Sequence, residues 1–171
     1  MNEYIEIEKI LGLSFKNHKL LETAFNHSSL KNDDIEIESN EVLELIGDSV
    51  MYFLISTYVY ENNKSNMNSG EISIIRSNII SNETFASFAN KLQLSKFIKL
   101  SKGQKKVGIS NSMLSNCFEA LIGAIYIDLG LNSVKTFIKE NFKDEIYTLF
   151  SKGPVKNKKM IENEKKQKRS I

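Results

Sequence analysis

The chain has 171 residues, 41% of them hydrophobic, with 23 Lys+Arg against 21 Asp+Glu. That length suits one domain with room for a buried core; the single cysteine, Cys117, excludes an intramolecular disulfide and a Cys-based zinc site, and His18 and His27 are too few for a His-rich one. No run of about 18 uncharged apolar residues occurs, and the N-terminus, Met1-Asn2-Glu3-Tyr4, has no basic segment leading into an apolar one, so neither a membrane span nor a secretory leader is predicted.

In chain order, Ile5 to Leu11 reads as a short helix closed by Gly12, and Asn17 is placed to cap a second helix carrying Leu20, Leu21, Ala24 and Phe25. The polar run Ser28 to Ser39 is predicted as a loop. Asn40 to Tyr60 is apolar nearly all round, as suits the centre of a bundle or an interface. Asn68 with Glu71 three places on fits a capping box for a helix from Gly70 to Ile80. Ser81 and Asn82 then break the chain before a helix from Glu83 to Leu92. Residues 101–112 are polar and contain glycine, and are predicted as a loop. Ser112 or a neighbour would cap a helix from Met113 to Asp128 that ends at Gly130, and Asn132 would cap a last one with Val134, Phe137, Ile138 and Phe142 inward. No segment alternates as a strand does, so the fold class is all-α.

Ser151-Lys152-Gly153-Pro154 holds the only proline and marks a boundary: residues 1–150 form the domain and 151–171 a basic tail. The tail has eight basic and two acidic residues, a net +6 that leaves −4 on residues 1–150. Such a tail reads either as a solvated, disordered end or as a source of salt-sensitive attraction to phosphate.

Two of the most apolar segments carry carboxylates. Glu41, Glu44 and Asp48 are spaced i, i+3, i+7 and share one helical face, and Glu119 lies in the apolar run from Leu114 to Asp128, with Asn116 three residues before it. A buried carboxylate is costly unless it is paired or binds a cation. Oxygen ligands converging from two packed helices suit Mg²⁺ or Mn²⁺; the competing reading is a solvated stripe on amphipathic helices. Spacing leaves both open. Gly47 and Gly123 are helix-interior glycines, which cost about 1 kcal/mol each relative to alanine, and they suggest two helices crossing closely with carboxylates beside the contact.

The segment Asn40-Glu-Val-Leu-Glu-Leu-Ile-Gly-Asp-Ser-Val50 resembles the signature of the ribonuclease III catalytic domain. Four other blocks, in the right order over roughly residues 5–147, are similar to that family: Phe15 to Ser29 with its His27-Ser turn, Gly70 to Thr84 with Arg76, Leu100-Ser-Lys-Gly103, and Cys117 to Gly130. The resemblance implies an RNase III-like helical bundle that dimerises, with Leu45 where the family sets an apolar knob into its partner. It implies a homodimeric, Mg²⁺-dependent (Mn²⁺ as substitute) endoribonuclease that cleaves double-stranded RNA in RNA processing, including rRNA processing, with one two-metal site per subunit. By position, Glu44, Asp48, Asn116 and Glu119 match metal ligands and Glu41 a supporting acid, so the catalytic set is Glu41, Glu44, Asp48 and Glu119. No small-molecule cofactor and no membrane are expected, and the location expected is the cytoplasm, or an organelle.

Two departures from the family pattern carry an alternative. Asn116 stands where the family has Asp, and no double-stranded-RNA-binding domain is expected in the residues after the 1–150 domain. The alternative is a weak or inactive relative serving as a dimer partner or as an RNA-binding component of a ribonucleoprotein. Of the remaining residues, His27 is expected to shape a turn, Cys117 to fill the core, Arg76 to pair with Glu71 or Glu83, and Phe25, Phe53, Phe85, Phe88, Phe118 and Phe137 to be core.

Overall fold

The computed structural model describes residues 3–63, 66–156 and 161. Among them run eight α-helices: α1 (Glu3–Leu11), α2 (His18–Ala24), α3 (Glu41–Glu61), α4 (Ser69–Ile79), α5 (Asn82–Lys91), α6 (Lys102–Val107), α7 (Asn111–Leu129) and α8 (Leu131–Ser151). Short 3-10 turns occupy Ser28–Asn32 and Leu94–Lys96. The described residues contain no strand, in line with the all-α expectation.

Local chemistry starts most of these helices. Asn17 caps α2 through Lys19 N–H, Ser81 caps α5 through Thr84 N–H, and Asn68 and Glu71 form a complete capping box on α4. Three expectations are corrected. Residues 102–107 form a helix, because the Ser101 hydroxyl accepts from Gln104 N–H and Gly108, at φ +93°, ends the turn cleanly. The cap of α7 is Ser110, within the expected neighbourhood of Ser112, but the helix itself starts earlier than expected, at Asn111 instead of Met113. Asn132 lies inside α8, which starts directly after Gly130, whose φ of +83° lets the chain reverse between α7 and α8.

Helix α7 is the hub. It packs most extensively on α3, then on α5, with α2 and α8 against its remaining faces. Its residues from Met113 to Ile125 are buried, Asn116 alone being half-exposed, which is why the segment had to be so apolar. Phe85, Phe88, Phe118, Phe137 and Phe142 fill the space between α5, α7 and α8, with the Phe88 and Phe142 rings stacked at 4.1 Å. Val134, Phe137, Ile138 and Phe142 point inward as expected. Cys117 is buried, and burial pushes its thiol pKa up, so it acts as a small apolar residue.

Helix α3 is different. Leu43, Gly47, Val50, Met51, Ile55 and Val59 are buried, but Val42, Leu45, Tyr52 and Phe53 are exposed. Phe53, expected in the core, is 54% exposed. By length and composition alone α3 and α7 are each long and apolar enough to cross a membrane, where no span was expected; the apolar character of α7 is accounted for by the core.

Arg76 is also a correction. Its guanidinium stacks 3.9 Å over the Tyr52 ring and hydrogen-bonds Ser56 and Ser73, while Glu71 is committed to the α4 cap. Helix α8 ends at Ser151, next to the expected boundary. Residues 157–160 and 162–171, most of the basic tail, lie outside the described residues.

Candidate metal centre

The site is built on the crossing of α3 and α7. A Cβ added to Gly47 would lie 1.8 Å from the Glu119 carbonyl oxygen, and one added to Gly123 would lie 2.1 Å from the Leu43 carbonyl oxygen. No side chain fits at either point, so the two backbones touch and only glycine permits it. That contact sets the register. Glu119 comes down on α3 at Gly47, and Glu44 and Asp48 sit on the same face of α3, on either side of it.

The electrostatics follow from this packing. Glu119 is only 9% exposed, and burial, with Asp48 and Glu44 adding repulsion, pushes its carboxyl up to about 8. Burial also raises Glu44; Glu41 and Asp48 push the same way, and the Asn116 amide opposes them as a hydrogen-bond donor to the Glu44 carboxyl. Among the described residues no lysine, arginine or histidine pairs with Glu44, Asp48 or Glu119. The solvated-stripe reading therefore fails for Glu119, while Asp48 and Glu41 keep to the exposed side.

Glu41 stands apart. Its Oε2 accepts 2.7 Å from Lys31 Nζ and 2.6 Å from the Ser39 hydroxyl, and these two partners hold its carboxyl below the usual range. Neither partner was anticipated. The loop that carries them has no periodicity to mark it, and only its folding back brings them to the start of α3. His27 caps the Ser28–Asn32 turn, its Nδ1 accepting from Ser29 N–H, and has the structural role expected of it.

The residues present fit a hard divalent cation in kind: three carboxyls and an amide oxygen from two helices, with no cationic side chain paired to them among the described residues. Among the described residues, however, no three His, Cys, Asp or Glu side chains are already gathered as a metal requires. Glu44, Asp48, Asn116 and Glu119 are the residues that would hold such an ion.

Residues 17–146 match the Ribonuclease-III-like family. The chain is 41% identical over 148 residues to the Ribonuclease 3 of Clostridium kluyveri, a match covering 85% of this chain and 60% of that protein. It is 39% identical to the Clostridium beijerinckii Ribonuclease 3, over 85% of this chain and 64% of the relative. The chain thus spans about 60% of the length of such relatives. Among solved structures, the nuclease domain of the Campylobacter jejuni enzyme superposes with a TM-score of 0.72 at 32% identity, covering 81% of this chain and 97% of that one. That structure is described as flexible in the region involved in dimer formation. Dicer from Pichia stipitis superposes at 0.58 and 26% identity, over 79% of this chain and 58% of its own. With the five sequence blocks, the glycine-to-glycine helix crossing and these likenesses in agreement, the chain belongs to the ribonuclease III family.

Proposed function

We propose that this chain is a metal-dependent endoribonuclease that cleaves double-stranded RNA as a homodimer, with one carboxylate centre per subunit. The observation that carries the reading is Glu119: a buried carboxyl pushed up to about 8, beside Glu44 and Asp48, with no cationic side chain paired to it among the described residues. A group in that state is unfavourable for the fold alone and favourable for holding a cation.

Glu44, Asp48, Asn116 and Glu119 would hold Mg²⁺, or Mn²⁺ in its place. When bound, such ions supply an activated water and a Lewis acid for the leaving 3′-oxygen. The chain's own residues do the rest. Glu119, fixed by the α3–α7 contact, provides an anchored ligand; Glu44 and Asp48 offer oxygens from one face; Glu41 remains ionised at the rim. With one charge fewer than the family's four acids, Asn116 lowers cation affinity without removing a ligating oxygen.

The dimer reading rests on α3. Leu45 is 68% exposed and lines, with Ile46, Val50, Phe53, Tyr126 and Leu131, an apolar recess on the outer face. A second copy of α3 is the occupant implied, with Leu45 as its knob. RNA would be recognised by A-form shape and 2′-OH contacts. The exposed lysines Lys102, Lys105 and Lys106 of α6 and the basic segment 151–171 beyond the 1–150 domain would supply non-specific phosphate attraction. A cytoplasmic location, processing rRNA and other duplex RNA, goes with this reading.

The test is a labelled RNA duplex incubated with Mg²⁺, with Mn²⁺ and with EDTA, beside Glu119→Ala. Metal-dependent cutting that the variant loses is expected. A folded, dimeric protein that leaves the duplex intact in both metals would favour the second reading, a non-catalytic partner or ribonucleoprotein component, to which Asn116 points.

A further inference from the structure

The loop between α2 and α3 brings a cationic side chain, Lys31, to the edge of the carboxylate centre. Lys31 sits on the Ser28–Asn32 turn with its Nζ 2.7 Å from Glu41 Oε2, and its side chain is 41% exposed. An exposed ion pair of this kind contributes little to stability, so stability does not explain why the lysine is held there.

The turn is firmly held. Ser29 N–H donates to His27 Nδ1 and Leu30 N–H to His27 C=O, at 3.1 and 3.0 Å. His27 N–H donates to Lys99 C=O at 3.1 Å, Ser101 N–H to Ser29 Oγ at 3.2 Å and Lys102 N–H to Asp33 Oδ2 at 3.0 Å. Beyond the turn, Asn40 N–H donates to Asn26 C=O at 2.8 Å, locking the loop to the start of α3. Lys31 is therefore carried on a fixed platform, and Ser39 holds Glu41 against it from the other side.

A polyanion approaching this rim meets the exposed carboxyls of Glu41 and Asp48. An ammonium has three donors, and Glu41 uses one. The two that remain, on a side chain open to solvent, match the oxygens of a phosphodiester. We propose that Lys31 is a substrate-positioning residue: shared between Glu41 and a backbone phosphate, it sets an RNA strand at the rim of the acidic cluster. This rests on the nuclease reading above.

The experiment compares Lys31→Gln and Lys31→Arg with the unaltered chain in steady-state cleavage of a duplex with Mg²⁺, across a salt series, with Mn²⁺ binding to protein alone measured in parallel. Lys31→Gln is expected to raise KM about five- to tenfold at low salt and to reduce the salt slope of 1/KM by about one phosphate contact. The effect should fall on KM more than on kcat, Lys31→Arg should restore it, and Mn²⁺ affinity should stay within about twofold. An unchanged salt slope, or a loss confined to kcat with altered Mn²⁺ affinity, would overturn the inference, because Lys31 would then act only by neutralising Glu41. Failure of the nuclease reading looks different: the unaltered chain itself would not cut, and the inference would fall with it.

Discussion

Helices α3 and α7 are alike in length and apolar content, yet one disappears into the protein and the other does not. Of α7, nearly every residue from Met113 to Ile125 is covered by its neighbours, whereas α3 buries one stripe and leaves Val42, Leu45, Tyr52 and Phe53 outside. The carboxylates divide the same way: Glu119 of α7 is buried and pushed up to about 8, and Glu41 of α3 is exposed and held low by Lys31 and Ser39. Apolar content thus says that a helix will be covered, not by what. In α7 the cover is the same chain; in α3 the stripe with Val42, Leu45, Tyr52 and Phe53 is left open, and the proposed dimer is what would cover it.

The largest effect expected to break this comparison is at the crossing. Gly47→Ala places a methyl carbon 1.8 Å from a backbone oxygen. It should cost more than about 3 kcal/mol by denaturant unfolding, or abolish folding, because two backbones cannot move apart without opening the core. Gly103→Ala, whose Cβ would meet nothing nearer than 4.0 Å, is the control and should fold normally. The second test sets the two helices directly against each other. Leu121→Lys, at a buried site in α7, should unfold the protein, while Leu45→Lys should leave a folded monomer, read by sedimentation and circular dichroism.

A third prediction concerns pH. The Glu119 carboxyl rises from 4.5 to about 8 on folding, so the folded state binds the proton more tightly. Its contribution is fully present below about pH 4.5 and is lost as pH climbs through about 8. Metal-free protein should therefore lose stability across that window, at a slope of up to about 1.4 kcal/mol per pH unit. Glu119→Gln should flatten the slope; an unchanged slope would mean that other groups set it. The smallest effect expected is that of Asn116→Asp. It restores a negative charge beside Glu44 and should tighten Mn²⁺ binding roughly tenfold by titration, while lowering metal-free stability by about 1 kcal/mol.

Several features could be read without any coordinates. Capping at Asn17, Asn68 and Gly130 depends on contacts within a few residues, and the inward face of α8 follows from helical periodicity, so both were legible. Gly47 and Gly123 announced a close crossing because glycine inside a helix is unfavourable without one. Helix α6 was missed because six residues are too few for a periodicity, and its ends are set by Ser101 and Gly108. Arg76 was paired with the wrong partner because Glu71 is used by its own helix cap and Tyr52 approaches from α3.

The sequence by itself determined the helical class, the caps at Asn17 and Asn68, and which carboxyls share a helical face, since these depend on spacing and side-chain chemistry along one segment. Only the tertiary structure decided which of those carboxyls is buried, that Glu119 comes down between Glu44 and Asp48, and that Lys31 and Ser39 reach Glu41 from a loop with no pattern of its own. The physical reason is that desolvation and pairing are properties of what lies opposite a residue, and what lies opposite is chosen by the packing of α3 on α7.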